Sequence, residues 1–142
     1  MEFPFKKIVY SEEETVELAG NFALSIHPGE VIILNGNLGA GKTFFIKNAV
    51  NALGGNNVNS PTFAIINEYE CKYKIYHFDF YRINEMAELY DIGFNDYLNN
   101  PDAIIFIEWG ELFPQVLPKK RIIIEIKLNE DFSREFNFKK YE

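Results

Sequence analysis

Residues 31–43 read VIILNGNLGAGKT: a short apolar run, a glycine-rich turn, then a lysine and a threonine. Val31 to Leu34 is unbroken, mostly β-branched and bounded by turn residues, which predicts a strand buried on both faces. Residues 36–43, GNLGAGKT, satisfy the spacing G-x-x-x-x-G-K-[ST]. From Lys42 to Leu53 the pattern becomes helical, with Phe45, Ile46, Ala49, Val50 and Leu53 on the inward face and Gly54 and Gly55 as the stop. A loop that grips an anion needs this order of elements. Gly36, Gly39 and Gly41 let the backbone aim consecutive amides at phosphate oxygens. The helix that follows adds the partial positive charge of its N-terminus. Lys42 then supplies a point charge for the β- and γ-phosphates, and the Thr43 hydroxyl a ligand for Mg²⁺. The predicted nucleotide-contacting stretch is Gly36, Asn37, Leu38, Gly39, Ala40, Gly41, Lys42, Thr43 and Phe44. The competing reading is a glycine-rich strand-to-helix turn with no ligand.

The remaining segments extend this unit. Ser11 and Glu14 have capping-box spacing, and Val16, Leu18, Ala19, Phe22 and Ala23 form a helical stripe ended by Pro28 and Gly29. The segments Thr62 to Tyr69 and Lys74 to Phe80 predict an antiparallel hairpin. Glu85 to Ile92 predicts a short helix closed by Gly93. Ala103 to Ile107, Ile122 to Leu128 and Arg134 to Phe138 predict three further strands. No repeat or linker interrupts the pattern, so residues 1–142 are expected to form a single domain. The expected class is α/β with a P-loop NTPase fold: a mostly parallel central sheet flanked by helices, with an antiparallel hairpin portion.

Composition bounds the function. The 142 residues are 47% hydrophobic and 25% charged, an ordinary globular balance. Fourteen Lys and Arg against twenty-one Asp and Glu leave a formal charge of −7, which disfavours stand-alone nucleic-acid binding because phosphate neutralisation drives that affinity. DNA binding is not expected, and any role in RNA chemistry implies that a partner holds the RNA. Cys71 is the single cysteine, which fits a reducing compartment. With no secretory h-region and no run of roughly 20 apolar residues, the expected location is the cytoplasm, without a membrane.

A phosphate-binding loop needs a second acid for its metal, at the end of a neighbouring apolar strand. Glu108 ends the unbroken run Ala103–Ile107 and is assigned to Mg²⁺, directly or through water. Asp79 ends the more mixed run Ile75–Phe78 and is assigned to orienting the attacking water or sensing the γ-phosphate. A surface carboxylate at a strand end is the plain alternative for either. Thr62, in the turn Ser60-Pro61-Thr62, is a candidate hydroxyl near the γ-phosphate, or simply the start of a strand. His77 and Trp109 read first as a hydrogen-bonded structural histidine and a packing tryptophan. No N-K-x-D tetrapeptide occurs, which favours ATP over GTP. Only Arg82, Arg121 and Arg134 are arginines, too few for a kinase that screens a transferring phosphoryl group. A small-molecule kinase and a nucleotide-sensing module with incidental hydrolysis remain the rival classes.

GNLGAGKT at 36–43, SPTF at 60–63, YHFDFYR at 76–82 and IEW at 107–109, in this order, resemble the TsaE (YjeE-type) family. The resemblance covers nearly the whole chain. It implies a small Mg²⁺-dependent ATPase required for N6-threonylcarbamoyladenosine in tRNAs reading codons that begin with A. It further implies action with the partners TsaD and TsaB and indirect contact with tRNA through them. By the same resemblance Lys42 and Thr43 fall on the Walker A lysine and threonine, and Glu108 on the metal-associated glutamate. Asp79 falls in an H-x-D-x-Y-R box, which raises His77, Tyr81 and Arg82 as switch or partner-contact residues. Trp109 matches the family's tryptophan after the glutamate, Arg134 lies where an arginine approaches the nucleotide, and the first helix start near Glu12 lies where adenine is contacted.

Overall fold

The computed structural model describes residues 1–59 and 65–142. The expectations for Ser60, Pro61, Thr62 and Phe63 therefore lie outside the described residues. Among those described, eight strands form one sheet in the order β1-β8-β7-β2-β6-β5-β4-β3. The strands are β1 (Phe5–Val9), β2 (Val31–Asn35), β3 (Asn56–Asn59), β4 (Ile66–Glu70), β5 (Lys74–Asp79), β6 (Ala103–Glu108), β7 (Arg121–Leu128) and β8 (Arg134–Tyr141). The helices are α1 (Glu12–Ala23), α2 (Lys42–Ala52), α3 (Ala87–Asp91) and α4 (Phe94–Leu98).

The sheet is not mostly parallel. β7, β2, β6 and β5 run parallel at its centre, and both flanks are antiparallel: β1-β8-β7 on one side and β5-β4-β3 on the other. For β4-β5 and β7-β8 the cause is short connections. The links from β4 to β5 and from β7 to β8 are too short for a crossover helix, so those strands can only fold back. The hairpin expected in the middle of the chain is present, with Glu70 opposite Lys74.

Strand alternation divides the core into two layers. Ile32 and Leu34 of β2, Ile104 and Phe106 of β6, Ile122, Ile124 and Ile126 of β7, and Phe136 and Phe138 of β8 pack with α1 and α2. Val31, Ile33, Ala103, Ile105 and Ile107 point the other way, toward Phe78, Phe80, Leu89 and Phe94. Phe22, Phe45, Phe136 and Phe138 stack between helices and sheet with ring centroids 5.4–6.4 Å apart. Such pairs add about 0.5–1.5 kcal/mol each beyond their buried area. Much of the phenylalanine in the sequence thus lies in the core, although Phe44 and Phe132 are exposed.

Several local expectations need correction. In α1, Leu18, Ala19, Phe22 and Ala23 are buried as read, but Val16 is 43% exposed and Thr15 takes the inward place. Ser11 caps α1 by accepting from the Glu14 amide at 3.1 Å, whereas the Glu14 carboxylate reaches the amide of Tyr10, one residue ahead of the position a capping box requires. Gly93 does not only close a helix. At φ 74° it ends α3 and opens α4, so the chain turns there and continues helically. Strands β1 and β3 carry no strong alternation of apolar and polar residues, and both are edge strands of the sheet.

Candidate nucleotide and metal site

The parallel centre gathers the chemistry. β2, β6 and β5 are parallel neighbours, so the glycine-rich loop after β2, Glu108 at the end of β6 and Asp79 at the end of β5 lie at one edge of the sheet. Asp79 and Glu108 are directly opposite in register. Ligands of open α/β sheets bind at this carboxyl edge. A cleft of about 540 Å³ opens there, bordered by Leu38, Gly39, Gly41, Lys42, Thr43 and Phe44 on one wall and by Asp79, Tyr81, Arg82, Glu108 and Trp109 on the other.

The loop's glycines have separate reasons to be glycine. Gly39 and Gly41 have φ of 81° and 107°, a region that side chains rarely adopt. A Cβ on Gly39 would meet nothing within 4 Å among the described residues, so the loop faces open space on their side. Gly36 is different, because a Cβ would sit 2.7 Å from the Ile126 carbonyl of β7. That glycine serves a close approach of two backbones, a role the sequence reading did not give it. Gly41 begins α2 without a side-chain cap, which leaves the first-turn amides available to a ligand.

Lys42 is 5% exposed. Its Nζ donates to the Gly36 carbonyl at 2.5 Å and lies 3.3 Å from the centroid of the Trp109 ring. Trp109 reaches that position because the chain bends at φ 61° just after β6. Its ring also packs on Tyr81, centroid to centroid 5.0 Å. Burial pushes the Lys42 ammonium pKa down, and Glu108, Glu111 and Asp79 act against that shift.

Glu108 is 4% exposed and has two partners. The Thr43 hydroxyl lies 2.9 Å from each of its oxygens, and His77 Nε2 lies 2.6 Å from Oε2. Burial alone would raise the carboxyl pKa. The hydrogen bond and charge of His77, the Thr43 hydroxyl and the Lys42 charge together outweigh it and hold Glu108 below the usual carboxylate range. Asp79 accepts from the Tyr81 amide at 3.1 Å and meets Arg82 Nε at 3.5 Å, which fixes the turn after β5.

Comparison with known proteins agrees with these motifs. The family model "TsaE: Threonylcarbamoyl adenosine biosynthesis protein TsaE" matches residues 9–136. The chain belongs to the TsaE family. Its function therefore lies in the biosynthesis of tRNA threonylcarbamoyladenosine. Among similar proteins is a Rickettsia typhi tRNA threonylcarbamoyladenosine biosynthesis protein TsaE, 38% identical over 133 residues, 92% of this chain and 91% of the relative. The Bacillus subtilis protein of the same name is 41% identical over 128 residues, 89% of this chain and 79% of its own length. The crystal structure of Bacillus subtilis YdiB superposes with a TM-score of 0.82 at 33% identity, covering 100% of this chain and 88% of that one.

In this TsaE chain the predicted residues do not all lie together. Leu38, Gly39, Gly41, Lys42, Thr43, Phe44, Asp79 and Glu108 border the cleft. Gly36, Asn37 and Ala40 lie on the far side of the loop, where with Leu38 they line a second hollow of about 550 Å³ against β7 and β8. Arg134, the first residue of β8, reaches the loop at Gly41, its Nε 3.5 Å from where a Gly41 Cβ would stand. Thr62 lies outside the described residues. His77 is 3% exposed and bonded to Glu108, which bears out its first reading as a hydrogen-bonded histidine; of the switch and partner-contact roles that the resemblance raised, direct contact with a partner does not fit a side chain so deeply buried. Sequence reasoning missed two contacts: His77 with Glu108, and Lys42 with Trp109. Strand alternation carried a signal for the first, since Ile75, His77 and Asp79 share one face of β5. Among the described residues no helix is long and apolar enough to cross a membrane.

Proposed function

We propose that residues 1–142 form a single P-loop NTPase domain that hydrolyses ATP with Mg²⁺ in the cytoplasm. On this reading its turnover serves threonylcarbamoylation of adenosine in tRNAs reading codons that begin with A. It acts with TsaD and TsaB, meets tRNA through that complex, and does not itself transfer the threonylcarbamoyl group. The observation that carries the reading is the Thr43 hydroxyl 2.9 Å from both oxygens of Glu108, at the lip of a cleft floored by the glycine-rich loop.

The residues present fit both ligands. For the triphosphate there is an uncapped helix N-terminus, open space before Gly39, and Lys42 at the loop. For Mg²⁺ there is a hydroxyl beside a carboxylate held ionised, the hard oxygen donors this ion takes alongside waters and phosphate oxygens. Thr43 and Glu108 would hold the ion, which when bound neutralises charge on the phosphate oxygens. Gly39, Gly41 and the α2 amides bind phosphate, and Lys42 leaves Trp109 to meet the β- and γ-oxygens. Asp79, fixed by the Tyr81 amide and Arg82, orients the attacking water. Arg134, beside Gly41, is kept as a nucleotide contact.

Among the described residues the cleft brings only Lys42 and Arg82 as cations, against Asp79 and Glu108. Since charge stabilisation does most of the work in phosphoryl transfer, turnover by the isolated chain is expected to be slow and to rise when TsaD and TsaB are added. The test is reconstitution with both partners and tRNA, following ATP turnover and modified adenosine together. Lys42→Ala should abolish both. Modification at the native rate by a hydrolysis-dead Asp79→Asn chain would replace the hydrolytic reading with an occupancy switch.

A further inference from the structure

The roles assigned above leave out one buried polar side chain in direct contact with the site. His77 lies in β5 between Ile75 and Asp79, 3% exposed, beneath the carboxyl edge of the sheet. Its Nε2 is 2.6 Å from Glu108 Oε2, and its Nδ1 has no hydrogen-bond partner among the described residues. An ionised carboxylate only accepts, so Nε2 carries the hydrogen and donates it. An imidazole among Ile75, Phe106 and Tyr69 is a costly filling unless its one polar attachment does something an aliphatic side chain would not.

The geometry around Glu108 indicates what that is. The Thr43 hydroxyl is equidistant from the two carboxylate oxygens, and one hydrogen shared in this way does not select a rotation about the last side-chain bond. That torsion is intrinsically broad. His77 breaks the symmetry. Among the described residues, Oε2 receives two donors, Thr43 and His77, whereas Oε1 receives only its share of Thr43. Oε1 is left as the oxygen with a free lone pair beside the Thr43 hydroxyl.

We infer that His77 is a positioning residue that locks the rotation of the Glu108 carboxylate, so that Oε1 and the Thr43 hydroxyl stand as a ready pair for the divalent cation accompanying the nucleotide. This inference rests on the Mg²⁺–nucleotide reading given above. Partners that orient a metal's carboxylate or imidazole are worth roughly 10–100-fold in metal affinity.

The experiment is calorimetric titration of ATP into the full chain, once with Mg²⁺ and once with EDTA, taking the ratio of the two affinities. His77→Leu fills similar space without a donor, and His77→Gln returns an amide N–H near the place of Nε2. His77→Leu should lower the native ratio about tenfold or more while the EDTA affinity stays within about threefold, and His77→Gln should keep the ratio within about threefold. A His77→Leu chain that keeps the native ratio overturns the inference and leaves the nucleotide reading intact. A native chain that binds no ATP, or binds it equally well in EDTA, overturns both. Nitrogen-15 NMR of the native imidazoles is independent of any variant's folding, and the second histidine, His27, is exposed. His77 Nε2 is expected to carry a hydrogen whether or not Nδ1 does, and a ring carrying hydrogen on Nδ1 alone overturns the inference.

Discussion

The Lys42 ammonium lies 3.3 Å from the centre of the Trp109 ring while donating to the Gly36 carbonyl at 2.5 Å. The lysine is thereby held by an aromatic face and by its own loop, in a place where burial depresses its pKa and three nearby carboxylates restrain that shift. A phosphate group arriving at the loop offers the ammonium a stronger, charged partner than either.

Trp109 is the single tryptophan of the chain, so its emission isolates this contact. Saturating Mg²⁺-ATP should change that emission as the ammonium leaves the ring. Lys42→Ala should change the spectrum of the nucleotide-free chain and remove the response. An unaltered native spectrum, with saturation established by calorimetry, would contradict the displacement.

Gly36 and Gly39 should respond differently to alanine. At Gly36 the new Cβ meets the Ile126 carbonyl at 2.7 Å, and two backbones must part to admit it. The cost is about 1–3 kcal/mol, a loss of several degrees in Tm by thermal melting at about 3 °C per kcal/mol. At Gly39 none of the described residues obstructs the Cβ, so the strained φ of 81° is what counts, about 1–2 kcal/mol. The Gly39 variant should be the more stable of the two, yet lose ATP affinity in calorimetry through the altered loop.

Glu108 makes acid stability depend on the site. Its folded pKa lies below the ordinary value of 4.5, so between the two values the unfolded chain binds more protons than the folded one. Its contribution is fully present above the unfolded pKa and is lost as pH falls through the folded one. Glu108→Gln cannot make that contribution. Denaturant melts between about pH 6 and about pH 3 should therefore show a gap between native and variant stability that narrows on acidification. A gap independent of pH would mean that the carboxylate is not held ionised by its partners.

Phe138 ties β8 to the helices. It is fully buried and its ring meets Phe5, Phe22, Phe45 and Phe136. Phe138→Ala should cost about 3–5 kcal/mol. Urea melts should show this as a lower midpoint with little change in slope.

The glycine-rich loop, its lysine and threonine, and the strand and helix around them were legible because each is a local pattern: an apolar run, glycines at fixed offsets, a helical period. Glu108 was legible for the same reason, as the polar end of an unbroken apolar strand. The flanking strand β1 was not, because an edge strand that buries so little imposes no alternation on its sequence, nor was β3, whose sequence Asn-Asn-Val-Asn holds a single apolar residue. The break between α3 and α4 hid behind Gly93, since one glycine signals both a helix end and a helix start. Val16 followed an approximate helical period but fell outside the buried stripe.

The sequence by itself determined that a strand runs into a glycine loop and a helix, that a lysine and a threonine stand at that helix's start, and that two carboxylates end two strands. Those facts are local, set by side-chain period and backbone freedom within a dozen residues. Only the tertiary structure decided that β5 and β6 lie side by side with His77 beneath Glu108, that Trp109 bends over Lys42, and that Gly36 is glycine for the sake of Ile126. Those contacts join residues far apart in the chain, and they arise from strand order and register, which no local pattern of residue types specifies.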